Sequence, residues 1–367
     1  MTAIEYLLVA TVVFYSIEGL VFIMGAYKAS RVKRSDYRPF VSVIVAARNE
    51  EKNIETLLSS LAQLTYPVSL REIIIVDDES TDATASVVES WKDRIPGLVL
   101  MRPRGTLDGL KGKANAVAQA IEQSKGEIIL TTDADCHVPP GWIEDLMSLY
   151  TPEVGVVCGF TLLRGNRVFE IIQSLDWAYL ITIAVAGVAW NVPLSAVATN
   201  MSFRRKAYDD VGGYPGVGFS VTEDFALFKK ISYTTDWKLR YPMRRENLVW
   251  SAACDDWRGV YLQKKRWGKG GVDIHPAGFA IMIIGFAMSC SLLVLPFFGL
   301  SWTYWSIALG IKSLWDAAIL WVPLRKFNLL RWLWYFPIFE LYYFIYVILI
   351  PFIVFLTGKV EWKGRRY

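Results

Sequence analysis

Gly126-Glu127-Ile128-Ile129-Leu130-Thr131-Thr132-Asp133-Ala134-Asp135 is a short apolar run that ends on two carboxylates. A run of about four to eight apolar residues between polar neighbours fits a strand buried on both faces. Two carboxylates at its exit can hold a divalent cation against a diphosphate. The pattern recurs upstream: Val41-Ser42-Val43-Ile44-Val45-Ala46-Ala47 exits into Arg48-Asn49-Glu50, and Glu72-Ile73-Ile74-Ile75-Val76 exits into Asp77-Asp78. Leu98-Val99-Leu100-Met101 reads as a further strand, and the segments 53–64, 115–123 and 142–150 read as helices. Strands alternating with helices at this spacing predict an α/β domain with a mostly parallel sheet. Ligands of such sheets bind beyond the carboxyl ends of the strands. The chemistry-bearing residues stand there.

The sequence around this polar core is strongly hydrophobic. Of 367 residues 53% are hydrophobic and 20% charged, with a mean hydropathy of +0.31. Residues 3–27 are apolar apart from Glu5 and Glu18, 277–311 carry no charged side chain, and 333–356 are interrupted by Glu340. A bilayer crossing takes roughly 20 apolar residues, so about four membrane helices are expected, one before the polar domain and about three after it. The first run lacks the basic leader and small-residue cleavage site of a signal peptide. Basic residues follow it at Lys28, Arg31, Lys33, Arg34 and Arg38, which predicts an outward N-terminus and a cytoplasmic domain. Arg325, Lys326 and Arg331 agree with that orientation. Lys359, Lys363, Arg365 and Arg366 do not, so either the last run is re-entrant or the count is off by one. The stretch 171–203 is apolar except for Asp176, but Asn191, Pro193, Thr199 and Asn200 interrupt it. It reads as a greasy, partly buried segment rather than a fifth crossing. The expected parts are a membrane helix at 1–28, a catalytic domain at 38–250, an interfacial helix region at 251–276 and a membrane region at 277–357.

A net charge of +4 with its excess beside the hydrophobic runs suits anionic membrane lipids and gives no footing for nucleic acid. The four cysteines, Cys136, Cys158, Cys254 and Cys290, show no paired spacing, which argues against a disulfide scaffold or a zinc site. No feature of the sequence speaks to oligomeric state.

Each candidate site residue has two readings. Asp77 and Asp78 either build a turn that Asp82 continues as a helix cap, or accept hydrogen bonds from a base or ribose. Asp133 and Asp135 suit Mg2+ or Mn2+, which take oxygen ligands from one or two carboxylates plus substrate phosphates. Lys113 starts a helix and can add positive charge near phosphates, or be a solvated lysine. Glu223-Asp224 open a helix, where acids favour the first turn; a carboxylate there can also serve as general base towards a hydroxyl. In Gln263-Lys264-Lys265-Arg266-Trp267, Arg266 can grip a diphosphate bidentately, and Trp267 can stack on an acceptor or seat the helix at the membrane interface.

Taken in order, these motifs resemble the family 2 glycosyltransferases, the inverting A-type enzymes, and within them the membrane-integrated branch that includes cellulose and hyaluronan synthases and ceramide glucosyltransferases. The resemblance covers roughly residues 38–270. It implies a Rossmann-like A-type domain. It places Ala47, Arg48 and Glu50 in a nucleotide-contacting loop, Asp77 and Asp78 at the base and ribose, and Asp133 and Asp135 at the metal and diphosphate. It puts Thr199-Asn200-Met201-Ser202-Phe203-Arg204-Arg205 near the donor sugar and acceptor, and Asp224 beside Glu223 in the catalytic-base motif. Gln263, Arg266 and Trp267 then pack over the diphosphate and acceptor. The implied donor is a nucleotide sugar, such as a UDP-sugar or a GDP-sugar, and the implied setting is the plasma or inner membrane of a prokaryote.

About four membrane helices are few for a polymer channel. The expectation is therefore transfer of a single sugar to a lipid or lipid-linked hydroxyl at the cytoplasmic membrane face. Glu18 and Glu340 keep a small processive polysaccharide synthase as the alternative, since acids inside membrane runs face protein or a polar pathway. A third reading is an inactive sugar-nucleotide-binding membrane protein.

Overall fold

The computed structural model describes the chain except residues 33, 219, 272–274, 357, 359–360, 363–364 and 367, with backbone alone at 361–362 and 365–366. Lys33, Lys359 and Lys363 of the basic flanks therefore lie outside the described residues, as do the side chains of Arg365 and Arg366. The chain divides into two compact units, one of residues 30–164 and 195–253, the other of 1–29, 165–194 and 254–367.

The first unit is built on a seven-stranded sheet. In chain order its parts are β1 (Val41–Ala47), α2 (Ile54–Leu61), β2 (Arg71–Asp77), α3 (Thr84–Glu89), β3 (Leu98–Met101), α4 (Gly112–Gln123), β4 (Ile128–Thr131), α5 (Trp142–Met147), β5 (Val154–Cys158), β6 (Thr161–Arg164), β7 (Met201–Arg204), α7 (Arg205–Asp209), α8 (Gly213–Val217), α9 (Glu223–Thr234), β8 (Lys238–Arg240) and β9 (Val249–Ala252). The strand order is β3-β2-β1-β4-β7-β5-β8, and β6 and β9 form a second, two-stranded sheet. Pairing is parallel from β3 through β4. It turns antiparallel on both sides of β7 and is parallel again between β5 and β8. The mixed, mostly parallel α/β sheet matches the sequence expectation.

The central strands are apolar because both faces are covered. Val41, Val43 and Val45 of β1 pack with Leu57 and Leu61 of α2 and with Ile73, Ile128 and Trp142, all of them fully buried. Each such aliphatic side chain contributes about 1.5–3 kcal/mol by leaving water. The carboxyl ends of β1, β2 and β4 point the same way, so their exit loops share one edge of the sheet.

The second unit consists of α1 (Ala3–Ala29), α6 (Val168–Ala189), α10 (Trp257–Gly270), α11 (Pro276–Val294), α12 (Trp302–Lys326) and α13 (Phe336–Leu356). Its apolar core includes Leu8, Met288, Leu292 and Ala308. At its centre lie charges: Lys312 Nζ donates to Asp316 Oδ2 at 2.7 Å and to Glu340 Oε1 at 2.8 Å. Tyr15 and Tyr179 donate to Asp316 Oδ1 at 2.5 and 2.8 Å. Gly19 lets α1 close on α12, since a Cβ there would stand 2.8 Å from the Trp315 ring.

Among the described residues five helices, not about four, are long and apolar enough to cross a membrane: α1, α6, α11 with its 3-10 extension to Phe298, α12, and α13 with the 3-10 turn before it. The addition is α6, whose interrupting residues Asn191 and Pro193 fall beyond its end. It differs from the rest in being 89% buried within its apolar window, against 11–39% for the others. The topology gives the reason. The strands before α6 pair with strands after it, β5 with β7 and β8 and β6 with β9. A single crossing by α6 would put those partners on opposite sides of a bilayer. The four remaining helices expose broad apolar faces, with Phe14, Ile283, Leu314 and Phe355 all more than half exposed. They give the chain its integral-membrane character.

Candidate active site

The loops that leave β1 and β2 are laced into one rim. Asp78 donates its N–H to the Ala47 carbonyl at 2.8 Å. Arg48 Nη1 donates to the Asp78 carbonyl at 2.8 Å and reaches Glu79 Oε2 at 3.2 Å. Asn49 donates its N–H to Ser80 Oγ at 3.0 Å and accepts the Thr81 N–H at 2.8 Å. Asn49 and Glu79, at the tips, hold φ of 52° and 60°. That left-handed conformation is uncommon for side-chain-bearing residues and costs about 1–3 kcal/mol unless its surroundings enforce it. Several residues expected to touch a nucleotide are themselves rim-builders. Asp77 accepts the Ser80 N–H at 3.0 Å and pairs with Arg102 at 3.3 Å. Glu50 accepts from Asn53 at 2.9 Å, and its own N–H binds Thr84 Oγ1 at 2.8 Å.

Beyond β4, Asp133 and Asp135 are both half-buried. Lys113, from the first turn of α4, donates to Asp133 Oδ1 at 2.5 Å and stands 3.5 Å from Glu223 Oε1. One ammonium thus ties the exit of β4 to the start of α9. Burial alone would lower the Lys113 pKa, but the charges of Asp133, Glu223 and Asp224 outweigh it and raise the value, which keeps the amine protonated. Asp224 is fixed at the N-terminus of α9, its Oδ2 accepting the Ala198 N–H at 2.6 Å and its Oδ1 the Phe225 N–H at 2.9 Å. Cys136, next to Asp135, is held well above the ordinary thiol range by burial and then by Asp135 and Asp133, so it stays a thiol.

Asp133, Asp135, Glu223 and Asp224 stand here with two cations, Lys113 and the Arg164 guanidinium, so the edge keeps a net negative charge. That excess favours a divalent cation, and the donors are all oxygen, the set Mg2+ and Mn2+ accept. No group of three or more His, Cys, Asp and Glu stands in a metal-holding arrangement among the described residues. The protein therefore offers one or two carboxylates, and a diphosphate and water would complete the shell. The residues present fit such an ion.

Some residues that shape the site carry no local sequence signal. Arg164 of β6 donates to the Asp135 carbonyl at 2.7 Å, and Ser251 of β9 to Asp135 Oδ2 at 3.3 Å. The Thr199–Arg205 segment, similar to a donor- and acceptor-contacting stretch, commits its polar side chains to the scaffold. Asn200 is fully buried, accepts from Trp142 Nε1 at 2.9 Å and donates to the Phe160 and Asn247 carbonyls at 2.9 and 2.7 Å. Arg205 caps the end of α4 through the Ile121 and Ser124 carbonyls.

Gln263, Arg266 and Trp267 lie on α10, in the helical unit, and all three are half-buried. The two lysines between them are buried. Lys264 pairs with the buried Asp176 of α6 and stands 4.7 Å from the Trp267 ring and 4.8 Å from the Tyr346 ring. Trp267 packs on Trp177 at 5.2 Å, so its face is already engaged by protein. The structure thus groups Asp78, Lys113, Asp133, Asp135, Glu223 and Asp224 in the sheet unit, and Gln263, Arg266 and Trp267 in the helical one.

A Rossmann-like mixed sheet whose strand ends gather carboxylates and a lysine is of the class that binds nucleotides beyond the carboxyl ends of its strands. The sequence pattern of the group described as "Glycosyl transferase family group 2" matches residues 128–358, and that of "Glycosyl transferase family 2" matches 42–212. The chain belongs to the family 2 glycosyltransferases. It is 30% identical over 244 residues, 64% of this chain, to the poly-β-1,6-N-acetyl-D-glucosamine synthase of Staphylococcus epidermidis, covering 55% of that synthase. It is 29% identical over 267 residues, 69% of this chain, to the β-monoglucosyldiacylglycerol synthase of Nostoc sp., covering 53% of it. The chain therefore spans about half the length of these curated relatives. Its fold is shared with a mannosyltransferase from Pyrobaculum calidifontis solved in complex with GDP-Man and Mn2+, at a TM-score of 0.57 and 22% identity over 92% of this chain and 99% of that one.

Proposed function

We propose that this protein is an inverting glycosyltransferase that moves one sugar from a nucleotide-sugar donor to the hydroxyl of a lipid or lipid-linked acceptor at the cytoplasmic membrane face. The observation that carries the reading is the Lys113 bridge, which joins Asp133, at the diphosphate end of the site, to the Glu223-Asp224 pair. Asp224 takes the proton of the acceptor hydroxyl as its oxygen attacks the anomeric carbon. The bond from that carbon to the diphosphate oxygen breaks with its electron pair on the nucleoside diphosphate, and the configuration inverts. Asp135, with Asp133, would hold Mg2+ or Mn2+, which when bound offsets the charge growing on the leaving group. Lys113 adds a fixed positive charge. The rim of Ala47, Arg48, Glu50, Asp77 and Asp78 receives the nucleoside. The mannosyltransferase complex with GDP-Man and Mn2+ supports this choice of cofactor and donor class.

Two observations favour single transfer to a lipid. One relative is a monoglucosyldiacylglycerol synthase. Glu340, an acid that could have lined a polymer path, instead pairs with Lys312. The basic residues after α1 support the cytoplasmic placement of the sheet unit. The test is purified full chain in lipid nanodiscs with Mn2+ and a panel of labelled UDP- and GDP-sugars, products read by mass spectrometry. The expected result is one lipid carrying one sugar, lost on chelation. A ladder of sugars would establish the processive alternative, and no nucleoside diphosphate from any donor would establish an inactive protein.

A further inference from the structure

The strands β6 and β9 form a sheet apart from the seven-stranded one, yet three of their residues converge on one segment beyond β4. Trp250 exchanges both backbone hydrogen bonds with His137, at 2.7 and 3.0 Å. Ser251 donates to Asp135 Oδ2 at 3.3 Å, and Arg164 Nη2 donates to the Asp135 carbonyl at 2.7 Å. The register sets Leu163 beside Ser251 and Arg164 beside Ala252, so the two donors leave neighbouring strands of one ladder. Asp135 is thereby held at its main chain and at its carboxylate from a single support. The Cys136 thiol adds a weak bond to Oδ1, at 3.6 Å.

The partner of Arg164 is unusual for its surroundings. It stands beside Asp133, Asp135, Glu223 and Asp224, where an arginine ordinarily grips a carboxylate with both arms of its fork. Among the described residues it makes no ion pair, and its Nη2 is turned to a neutral carbonyl instead. Its Nε is enclosed and meets no acceptor among those residues, which costs about 1–3 kcal/mol. Stability alone does not account for such a side chain. Asp133 shows the other arrangement, its Oδ1 taken by the Lys113 ammonium at 2.5 Å. Ser251 and the Cys136 thiol are neutral, and a carboxylate has about four acceptor sites, so they steer Asp135 without cancelling its charge. We infer that Arg164 is a positioning residue, which fixes the backbone of Asp135 and, with Ser251, keeps its charged carboxylate available to the cation. The inference rests on the reading of Asp135 as a ligand of Mg2+ or Mn2+. Partners of this kind change metal affinity by about 10–100-fold when removed.

Two roles for Arg164 make opposite predictions. A guanidinium that only neutralised this edge would repel the metal, and its removal would tighten binding. A positioning residue loosens binding when it is lost. The experiment titrates full-length protein in phosphatidylcholine nanodiscs with Mn2+, in the presence of UDP or of GDP and without any sugar donor. Free Mn2+ is read by electron paramagnetic resonance. Arg164→Met should weaken Mn2+ binding by about 10–100-fold. Arg164→Lys, which keeps the charge but loses the planar fork, should recover little of it. Ser251→Ala should weaken binding by about two- to ten-fold, the worth of one neutral hydrogen bond, with the metal-free melting temperature near that of the wild type. Unchanged or tighter binding in Arg164→Met, or full recovery in Arg164→Lys, would overturn the inference and leave the transferase reading standing. If Arg164→Met does not fold, wild-type affinity in both Arg164→Lys and Ser251→Ala would overturn it equally. No Mn2+ binding by the wild-type protein with either nucleotide would strike the metal reading of the site, and this inference with it.

Discussion

The two units use charge in opposite ways. At the strand ends of the sheet unit, the carboxylates Asp133, Asp135, Glu223 and Asp224 outnumber the cations beside them, Lys113 and Arg164, a state that invites a cation and a diphosphate. In the helical unit, Lys264 of α10 meets Asp176 of α6 one to one inside apolar surroundings. There the charges neutralise one another, and the helices can be apolar outside while polar within. An unbalanced cluster marks a place where something else must bind, whereas a balanced one marks where the fold is fastened. Breaking a member of each should therefore fail in different assays.

The largest effect is expected at Asp224. Asp224→Asn keeps an amide oxygen for the Ala198 N–H and gives up only the bond from the Phe225 N–H, so the fold should persist while the proton acceptor is lost. Turnover should fall by about 10²–10⁴-fold, with donor affinity, read by calorimetry, unchanged. Near-normal turnover would remove Asp224 from the role of base.

In the helical unit the expected loss is of stability. Lys264→Met strands Asp176 as a buried charge, which costs about 3–5 kcal/mol, so the detergent-solubilised protein should melt markedly earlier. Adding Asp176→Leu should restore most of the melting temperature, because an apolar pair replaces an ion pair at little net cost. If the double variant stayed as unstable as the single one, balance of charge would not be what fastens α10 to α6.

This difference also explains what the sequence disclosed. The strands β1, β3 and β4 were legible because an apolar run with a polar exit has few alternatives, and the carboxylates sit at those exits. The antiparallel β7 was hidden because Thr199–Phe203 continues a greasy stretch whose polarity, Thr199 bonded to the Thr161 hydroxyl and Asn200 to the Phe160 carbonyl, is spent on buried hydrogen bonds. The burial of Lys264 was not legible in the interfacial helix region because its partner, Asp176, is distant in sequence and only packing unites them. Arg164 and Ser251 were invisible for the same reason: each meets Asp135 through the β6–β9 ladder.

A smaller effect should follow from crowding the Asn200 pin. A Cβ at Gly159 would overlap the Asn200 carboxamide, whose oxygen and amino group are already held by Trp142, Phe160 and Asn247. It has no room to turn away. Gly159→Ala should cost about 1–3 kcal/mol and lower the melting temperature, with a milder loss of turnover than Asp224→Asn. A melting temperature equal to wild type would show that the pin gives way without cost.

The smallest effect tests the comparison from its other side. Lys206 and Asp210 form an ion pair at 2.9 Å, one turn apart, with Lys206 70% exposed. Its geometry is as good as that of the Lys312 pair, and its surroundings are water. Solvent screens the attraction, and ordering two side chains offsets most of what remains. Lys206→Ala should therefore leave both the melting temperature and turnover unchanged, where Lys264→Met shifts the first strongly. A comparable shift for both would mean that contact distance, rather than burial, sets the strength of these pairs. The division between an unbalanced strand edge and a balanced helical interior would then lose its physical basis.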